Sequence, residues 1–460
     1  MNTVAIFDIG KTNKKFFLFN EQYKIVLERS VQFAEISDED GFACDDLPLI
    51  TQWVKKTIEE IAVLEDFTIK AINFSAYGAS FVNMGQNGEP VTPLYNYLKP
   101  FPPKLNEKFY HKYGGENKIS VSTASPVLGN LNSGMQLYRL RYEKPAVFEK
   151  IAYALHLPQY ISYLITGKAY AEITSIGCHT GLWDFTKHQY HDWVSAEKIA
   201  EKFPSILPSD QTIDILLHGE IIKAGIGLHD SSSALIPYLT CFPEPFILIS
   251  TGTWCISFNP FNDDPITIDE LQKDCLCFLE YHGRPVKASR LFTGNEHEQQ
   301  VKRLAKHFNV PSDYYKKIIF NSALLEKCIS ENQATKIEIG KHFSAFTIRT
   351  LESFGSYEEA YHQLIYDIMQ QQKLATSLIF SSKKVTRIFV DGRFAQNPVF
   401  MNMLADSFQM MEVFAASVSQ ASAIGAALAI HEVWNSLPIP SNLIELIFYP
   451  SLKLQTKKIK

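Results

Sequence analysis

The chain has 460 residues and a mass of 52.3 kDa, about three times a typical domain of roughly 150 residues, so two large domains are the default. Lys and Arg total 44 against 49 Asp and Glu, giving a net charge of −5 and a pI near 6.2, which excludes a generally basic nucleic-acid binder and a polyacidic tail protein. Hydrophobic residues at 46% and aromatics at 13% exclude a disordered chain.

The N-terminal segment Val4–Phe19 reads as two short apolar strands around the turn Asp8-Ile9-Gly10-Lys11-Thr12-Asn13. Helical spacing follows in Leu47–Leu64 and Asn132–Tyr142, with a strand pattern in Ile69–Ser75. Three prolines (Pro237, Pro243, Pro245) place a domain boundary near residues 240–241. A second strand–turn–strand unit then appears. Phe246–Ile249 leads into Ser250-Thr251-Gly252-Thr253-Trp254 and on to Cys255–Phe258, which suggests a duplicated architecture. A long helix is predicted over Tyr357–Ser382, a strand over Val385–Val390, and helices over Asn397–Phe408 and Ala421–Ile430. Alternating strands and helices argue an α/β fold. The reading divides the chain into residues 1–240, 241–435 and a solvated tail, 436–460, ending Lys457-Lys458-Ile459-Lys460.

No apolar run approaches the roughly 18 residues that span a bilayer, the longest being Ala423–Ile430. The N-terminus lacks a basic flank followed by an apolar stretch, so no signal peptide is expected. The seven cysteines are scattered, with no Cys-x-x-Cys, which fits a reduced cytoplasmic chain.

Four segments are candidates for chemistry. Gly10-Lys11-Thr12 has the end of a Walker A loop, but Ala5 stands where that motif needs glycine and a strand follows where it needs a helix. What remains is a turn with a carboxylate at its entry. Gly10 admits a phosphate close to the backbone, Thr12 and Asn13 offer short polar side chains, Lys11, Lys14 and Lys15 supply charge, and Asp8 suits Mg²⁺. Thr251-Gly252-Thr253 forms a second cradle of this kind. Taken alone, each is equally an ordinary hairpin turn. In Gly227-Leu228-His229-Asp230-Ser231-Ser232-Ser233-Ala234, Asp230 is either a helix N-cap or a general base, with His229 beside it on the substrate. Asp391-Gly392-Arg393-Phe394-Ala395-Gln396-Asn397 is either a plain strand-to-helix loop or a nucleotide seat.

In this order and spacing, the four segments resemble the FGGY family of carbohydrate kinases, in the actin-like (ribonuclease H-like) ATPase superfamily. The resemblance spans about residues 4–430. It implies two actin-like domains with an interdomain cleft, ATP and Mg²⁺ as cofactors, and a ketose such as a deoxyhexulose or pentulose as substrate. Asp230 becomes the catalytic base and Asp8 the metal ligand. Lys11, Thr12, Asn13, Lys15, Thr251, Gly252, Thr253, Gln299, Gly392 and Asn397 fall on the nucleotide side. Tyr77, Gly78, His229, Asp230 and Arg290 fall on the sugar side. Phe74–Ser80 matches a Trp-Gly-Val-Asp stretch of the rhamnulokinase-like branch. Tyr97-Leu98-Lys99-Pro100 departs from the family's Tyr-Arg-Asp, and Arg393 replaces the second glycine of the adenosine turn. Those departures leave open a catalytically weak sugar-binding regulator on the same fold; a chaperone-like ATPase lacks a peptide-binding domain after residue 430. Neither nucleic acid nor membrane is expected as a partner, and a homodimer is left open. His179, His188 and His191 read as packing or surface residues, as do Trp53 and Trp193.

Overall fold

The computed structural model describes residues 1–332 and 343–452. Its first half is built on strands β1 (Asn2–Ile9), β2 (Lys14–Asn20) and β3 (Ile25–Val31), helix α1 (Leu47–Ala62) and strand β4 (Thr68–Ala76). Helix α2 (Leu157–Thr166), strands β5 (Thr212–Leu217), β6 (Glu220–Gly225) and β7 (Leu228–His229), and helix α3 (Asp230–Cys241) complete it. The second half carries β8 (Phe246–Thr251), β9 (Cys255–Asn259), β10 (Cys275–Leu279), β11 (Pro285–Leu291) and helix α4 (Thr293–Phe308). It continues through α5 (Tyr357–Ser377), β12 (Arg387–Gly392), α6 (Pro398–Ser407), β13 (Glu412–Ser417), α7 (Ala421–Ala429) and β14 (Glu445–Tyr449).

The two sheets repeat one plan. The first runs β3-β2-β1-β4-β6-β5, with β7 also on β4, and the second runs β10-β11-β9-β8-β12-β13-β14. Each opens with a run of antiparallel strands, three in the first sheet and four in the second, continues into two strands paired in parallel, and is closed by an antiparallel edge. The duplication read from the two hairpins is therefore a duplication of whole sheets.

Both faces of the central strands are covered, which is why Val4-Ala5-Ile6-Phe7 and Phe246-Ile247-Leu248-Ile249 are continuously apolar rather than alternating. Ala5, Phe7 and Ile9 pack outward with Ile50, Val54 and Ile161 of α1 and α2. Val4 and Ile6 face a core shared with Leu235, Ile236, Ala423, Ala427, Phe246 and Leu248, so α3 and α7 lie between the two sheets. Ile247, Ile249 and Val390 pack outward with α5 and α6.

Two expectations about the chain's punctuation are corrected. Pro237 lies inside α3 and does not end it. The segment from Ser436 is no solvated tail: it supplies β14, which pairs with β13 in the place that β5 takes beside β6. The basic end at 457–460 lies outside the described residues. The helix predicted over Tyr357–Ser382 stops at Ser377. Trp193 is buried in a cluster with Phe109 and Tyr138, and Trp53 sits edge-on to Phe7. Among the described residues no helix is long and apolar enough to cross a membrane.

Candidate functional site

The site forms at the N-termini of α3 and α7, beside the strand ends that carry Asp8, Ser250 and Asp391. Gly10 N donates to Asn13 O (2.9 Å) to close the first turn, and Gly252 N donates to Trp254 O (2.8 Å) to close the second. The register places Asp8 of β1 opposite Ser75 of β4, and Ser250 of β8 opposite Asp391 of β12. Each half thus offers one carboxylate and one hydroxyl at the matching point, on exchanged strands. Asp230, Ser231, Ser250, Asp391 and Ser422 line a cavity of about 250 Å³ with Leu248, Ile256 and Phe258.

The carboxylates there are energetically unsettled. Burial pushes Asp230 up to about 6, although backbone and hydroxyl of Ser231 bond its Oδ1 at 2.6 and 3.2 Å. Burial also raises Asp8 to about 6, opposed by the Ser422 hydroxyl (2.8 Å) and reinforced by the charge of Asp230. Asp391 is raised by burial while accepting from Tyr238 Oη (3.0 Å). Asp8 has no ion-pair partner among the described residues, which leaves a buried oxygen donor suited to a hard cation. No cluster of three or more His, Cys, Asp or Glu able to hold a metal occurs there either. A cation at Asp8 would thus complete its shell with phosphate and water, as Mg²⁺ prefers.

Asp230 is the first residue of α3; His229, not Asp230, occupies the cap position. His229 Nε2 lies 3.2 Å from Asp230 Oδ1 and 3.2 Å from Cys178 Sγ, and burial lowers its pKa to about 4, so it is neutral. Gly78 is required beside it, since a Cβ there would stand 2.8 Å from His229 Cδ2. Tyr77 is buried with its hydroxyl donated to Asp45 (2.8 Å) and its ring 6.1 Å from that of Tyr97. Burial raises the Tyr97 phenol; Lys11 opposes this, and the charges of Asp230 and Asp45 add to it, so Tyr97 lies within electrostatic reach of all three.

Several side chains are engaged differently from the sequence expectation. Lys11 does not stand free over the phosphate turn: it pairs with Asp45 (2.6 Å) and Glu35 (2.9 Å). Buried Lys14 pairs with the other oxygen of Asp45 (2.9 Å). Lys15 instead crosses to the second half, donating to Gln420 Oε1 (3.1 Å) before α7. Thr12 and Thr253 are exposed, and Asn13 Oδ1 accepts from Gln32 (2.7 Å). Thr251 Oγ1 donates to Asp391 O (2.6 Å) and accepts from Phe394 N (2.9 Å), so it ties the second turn to the loop after β12. Gly392, with φ +86°, is forced there because a Cβ would lie 2.1 Å from Thr251 O. The Asn397 amide caps α6 through Val399 N and Phe400 N and donates to Tyr361 Oη (2.7 Å). Gln299 is exposed on α4 and donates to Asn295 (2.8 Å). Arg393 is 53% exposed and 3.9 Å from Glu298, so its guanidinium leaves the turn rather than filling it. Arg290 pairs with Asp274 (2.7 Å) and lies over the Trp254 ring (5.3 Å).

At Tyr97-Leu98-Lys99, Leu98 is exposed, and Lys99 is buried and paired with Asp38 and with Asp40 (2.7 Å). A larger cavity, about 1010 Å³, lies elsewhere, along α1 and residues Glu89–Leu94. It touches the site only through Asp45 and contains neither turn nor Asp230. Sequence reasoning did not single out Asp45 or Ser422, and it read Asp391 only as the start of the candidate nucleotide segment Asp391–Asn397. The signal for Asp391 lay in its place opposite a second hairpin; nothing in the sequence marks the other two.

Residues 3–236 match the model of the FGGY family of carbohydrate kinases, N-terminal domain, and residues 243–437 that of the carbohydrate kinase FGGY, C-terminal domain. Rhamnulokinase from Halalkalibacterium halodurans is 23% identical over 267 residues, 56% of each chain. Rhamnulokinase from Mannheimia succiniciproducens is 26% identical over 263 residues, 55% of this chain and 52% of that one. The alignments thus span about half the length of these curated relatives. A carbohydrate kinase from Novosphingobium aromaticivorans superposes with a TM-score of 0.80 at 23% identity, covering 98% of this chain and 95% of its own. Ligand-bound xylulose kinase from Lactobacillus acidophilus gives 0.77 at 16% identity, over 100% and 95%. These structures share the fold, the two-domain actin-like α/β architecture. With family models matched in succession over both halves, the chain belongs to the FGGY family of carbohydrate kinases.

Proposed function

We propose that this protein transfers the γ-phosphoryl group of Mg-ATP to a hydroxyl of a neutral ketose, a deoxyhexulose or a pentulose. The observation that carries the reading is the half-buried carboxylate of Asp230, raised to about 6, at the wall of a cavity that it shares with Ser231, Ser250, Asp391 and Ser422. The rhamnulokinase relatives and the xylulose kinase fold neighbour support the choice of sugar class. Arg290, the cation read on the sugar side, is matched by Asp274 (2.7 Å), which favours an uncharged sugar over a sugar acid.

Phosphoryl transfer asks a protein mainly for alignment and charge stabilisation. Asp230 accepts the proton of the attacking hydroxyl, held in place by Ser231 and by His229 Nε2. His229 stays neutral, so it adds no second charge beside the base. The backbone amides of the two turns and the exposed hydroxyls of Thr12 and Thr253 would face the phosphates, with Lys15 of β2 beside the first turn. Asp8 would hold Mg²⁺, which neutralises phosphate charge when bound. The loop Gly392–Asn397 and the start of α4 would flank the adenosine. Gly294 lets α4 approach the second turn, since a Cβ there would lie 1.8 Å from Gly252 O.

A base must be ionised to work, and Asp230 and Asp8 both protonate near pH 6. The ketose-stimulated rate of ADP release is therefore expected to be flat above pH 7. Below pH about 6 it should fall by about one to two decades per pH unit, depending on whether one or both carboxylates must be ionised. A pH–rate profile measured between pH 5 and 8 checks this; a flat profile to pH 5 contradicts the role of Asp230.

A further inference from the structure

We infer that His179 is a further substrate-contacting residue, which hydrogen-bonds a sugar hydroxyl through its imidazole Nδ1; this rests on the sugar kinase reading above. Three independent observations converge on it. Its backbone sits at φ +40°, a left-handed conformation that is costly for a non-glycine residue and gathers at functional sites. The strain is held in place, since Asn132 Nδ2 donates to His179 O at 2.7 Å. Its Nδ1 is buried with no hydrogen-bond partner among the described residues, an unsatisfied polar atom that costs stability and that packing alone gives no reason to retain. Its neighbours are the site's own residues. The ring meets Phe278 edge-on at 5.8 Å, and Phe278 in turn stacks on His229 at 6.1 Å and packs against Phe258 at 5.7 Å. The preceding Cys178 touches His229 Nε2.

Burial and then the Arg290 guanidinium hold His179 down to about 3, so the ring is neutral; the carbonyls of Leu131 and of His179 itself also face it. A neutral imidazole nitrogen meets a sugar hydroxyl equally well as donor or acceptor, because the hydroxyl is both. Arg290 presents the same signature, with Nε buried and unpartnered while its outer nitrogen serves Asp274. The two orphaned nitrogens thus match a polyhydroxylated ligand and leave little to bind the nucleotide.

The test is a comparison of wild type, His179→Ala and His179→Asn, with L-rhamnulose and D-xylulose as sugar probes. His179→Ala should raise KM for the accepted ketose about tenfold, the worth of one good hydrogen bond, with KM for ATP unchanged. Its ligand-free melting temperature should stay level or rise, because an unsatisfied buried nitrogen is removed. His179→Asn tolerates the left-handed backbone and keeps an amide, so it should recover part of the sugar affinity. A wild-type ketose KM in His179→Ala overturns the inference, as does a lowered melting temperature with both KM values displaced together, the mark of a packing role. Wild type inert with both probes overturns the ketose kinase reading itself, and this inference with it.

Discussion

Asp230→Asn is expected to lower kcat by about 10²–10⁴-fold, the usual worth of a general base, while leaving the affinities for sugar and ATP close to wild type. The amide is isosteric, and its carbonyl oxygen keeps the bond from Ser231 N, measured at 2.6 Å for the carboxylate. What it loses is the ability to take a proton. It also loses the charge that burial penalises, so ligand-free stability should not fall. The same charge helps raise Asp8, so removing it should return the Asp8 carboxyl towards its ordinary range. Steady-state kinetics beside calorimetric binding of the ketose and of a non-hydrolysable ATP analogue separate these effects. Near-native turnover in the variant would reassign the base.

Gly425→Val is expected to destabilise the protein by about 3 kcal/mol or more, because the clash is backbone against backbone in a fully packed core. A Cβ at 425 would stand 1.8 Å from Ser233 O, a contact no rotamer change relieves. The reason lies in α3. Pro237 has no N–H, so Ser233 O, four residues earlier, loses its helical donor and turns to the neighbouring helix. Two bonds fix α7 at that distance: Ser233 Oγ donates to Ser422 O (2.7 Å), and Asn73 Nδ2 donates to Ala426 O (2.8 Å). Asp230 begins one of these helices and Ser422, which holds Asp8, lies in the first turn of the other. Forcing them apart would therefore disorder the site as well as the core. Thermal unfolding of Gly425→Val and Gly425→Ala measures the effect, and a wild-type melting temperature for the valine variant would refute the close approach.

What the sequence revealed follows from how locally each feature is written. Strands buried on both faces leave uninterrupted apolar runs, and the Asp8–Asn13 and Ser250–Trp254 turns sit between them, so the duplicated halves were legible. The edge strand β14 was not, since Leu446, Ile447 and Phe448 are all substantially exposed and give no inside–outside alternation. Pro237 read as a breaker because its effect depends on a partner helix almost 190 residues away in the chain, which accepts the freed carbonyl. Residue type alone also failed to separate binding from bracing. Asn397 suits an adenosine contact and a helix cap equally, and the structure uses it as the cap. Lys11 suits a phosphate, but Asp45, 34 residues on, engages it. The strain at His179 is invisible in a sequence, because nothing in residue type reports a left-handed backbone.

The most direct measurement is the product itself. The protein is incubated with Mg-ATP and each member of a panel of ketoses, aldoses, polyols and sugar acids, with Asp230→Asn in parallel, and the mixtures are read by phosphorus NMR. The expected result is a new sugar phosphate monoester resonance, formed with ADP in equal amount, from a deoxyhexulose or a pentulose and not from the sugar acids, and absent on the same timescale in the variant. Inorganic phosphate as the product, regardless of the sugar added, or equal phosphorylation by Asp230→Asn, would contradict the account.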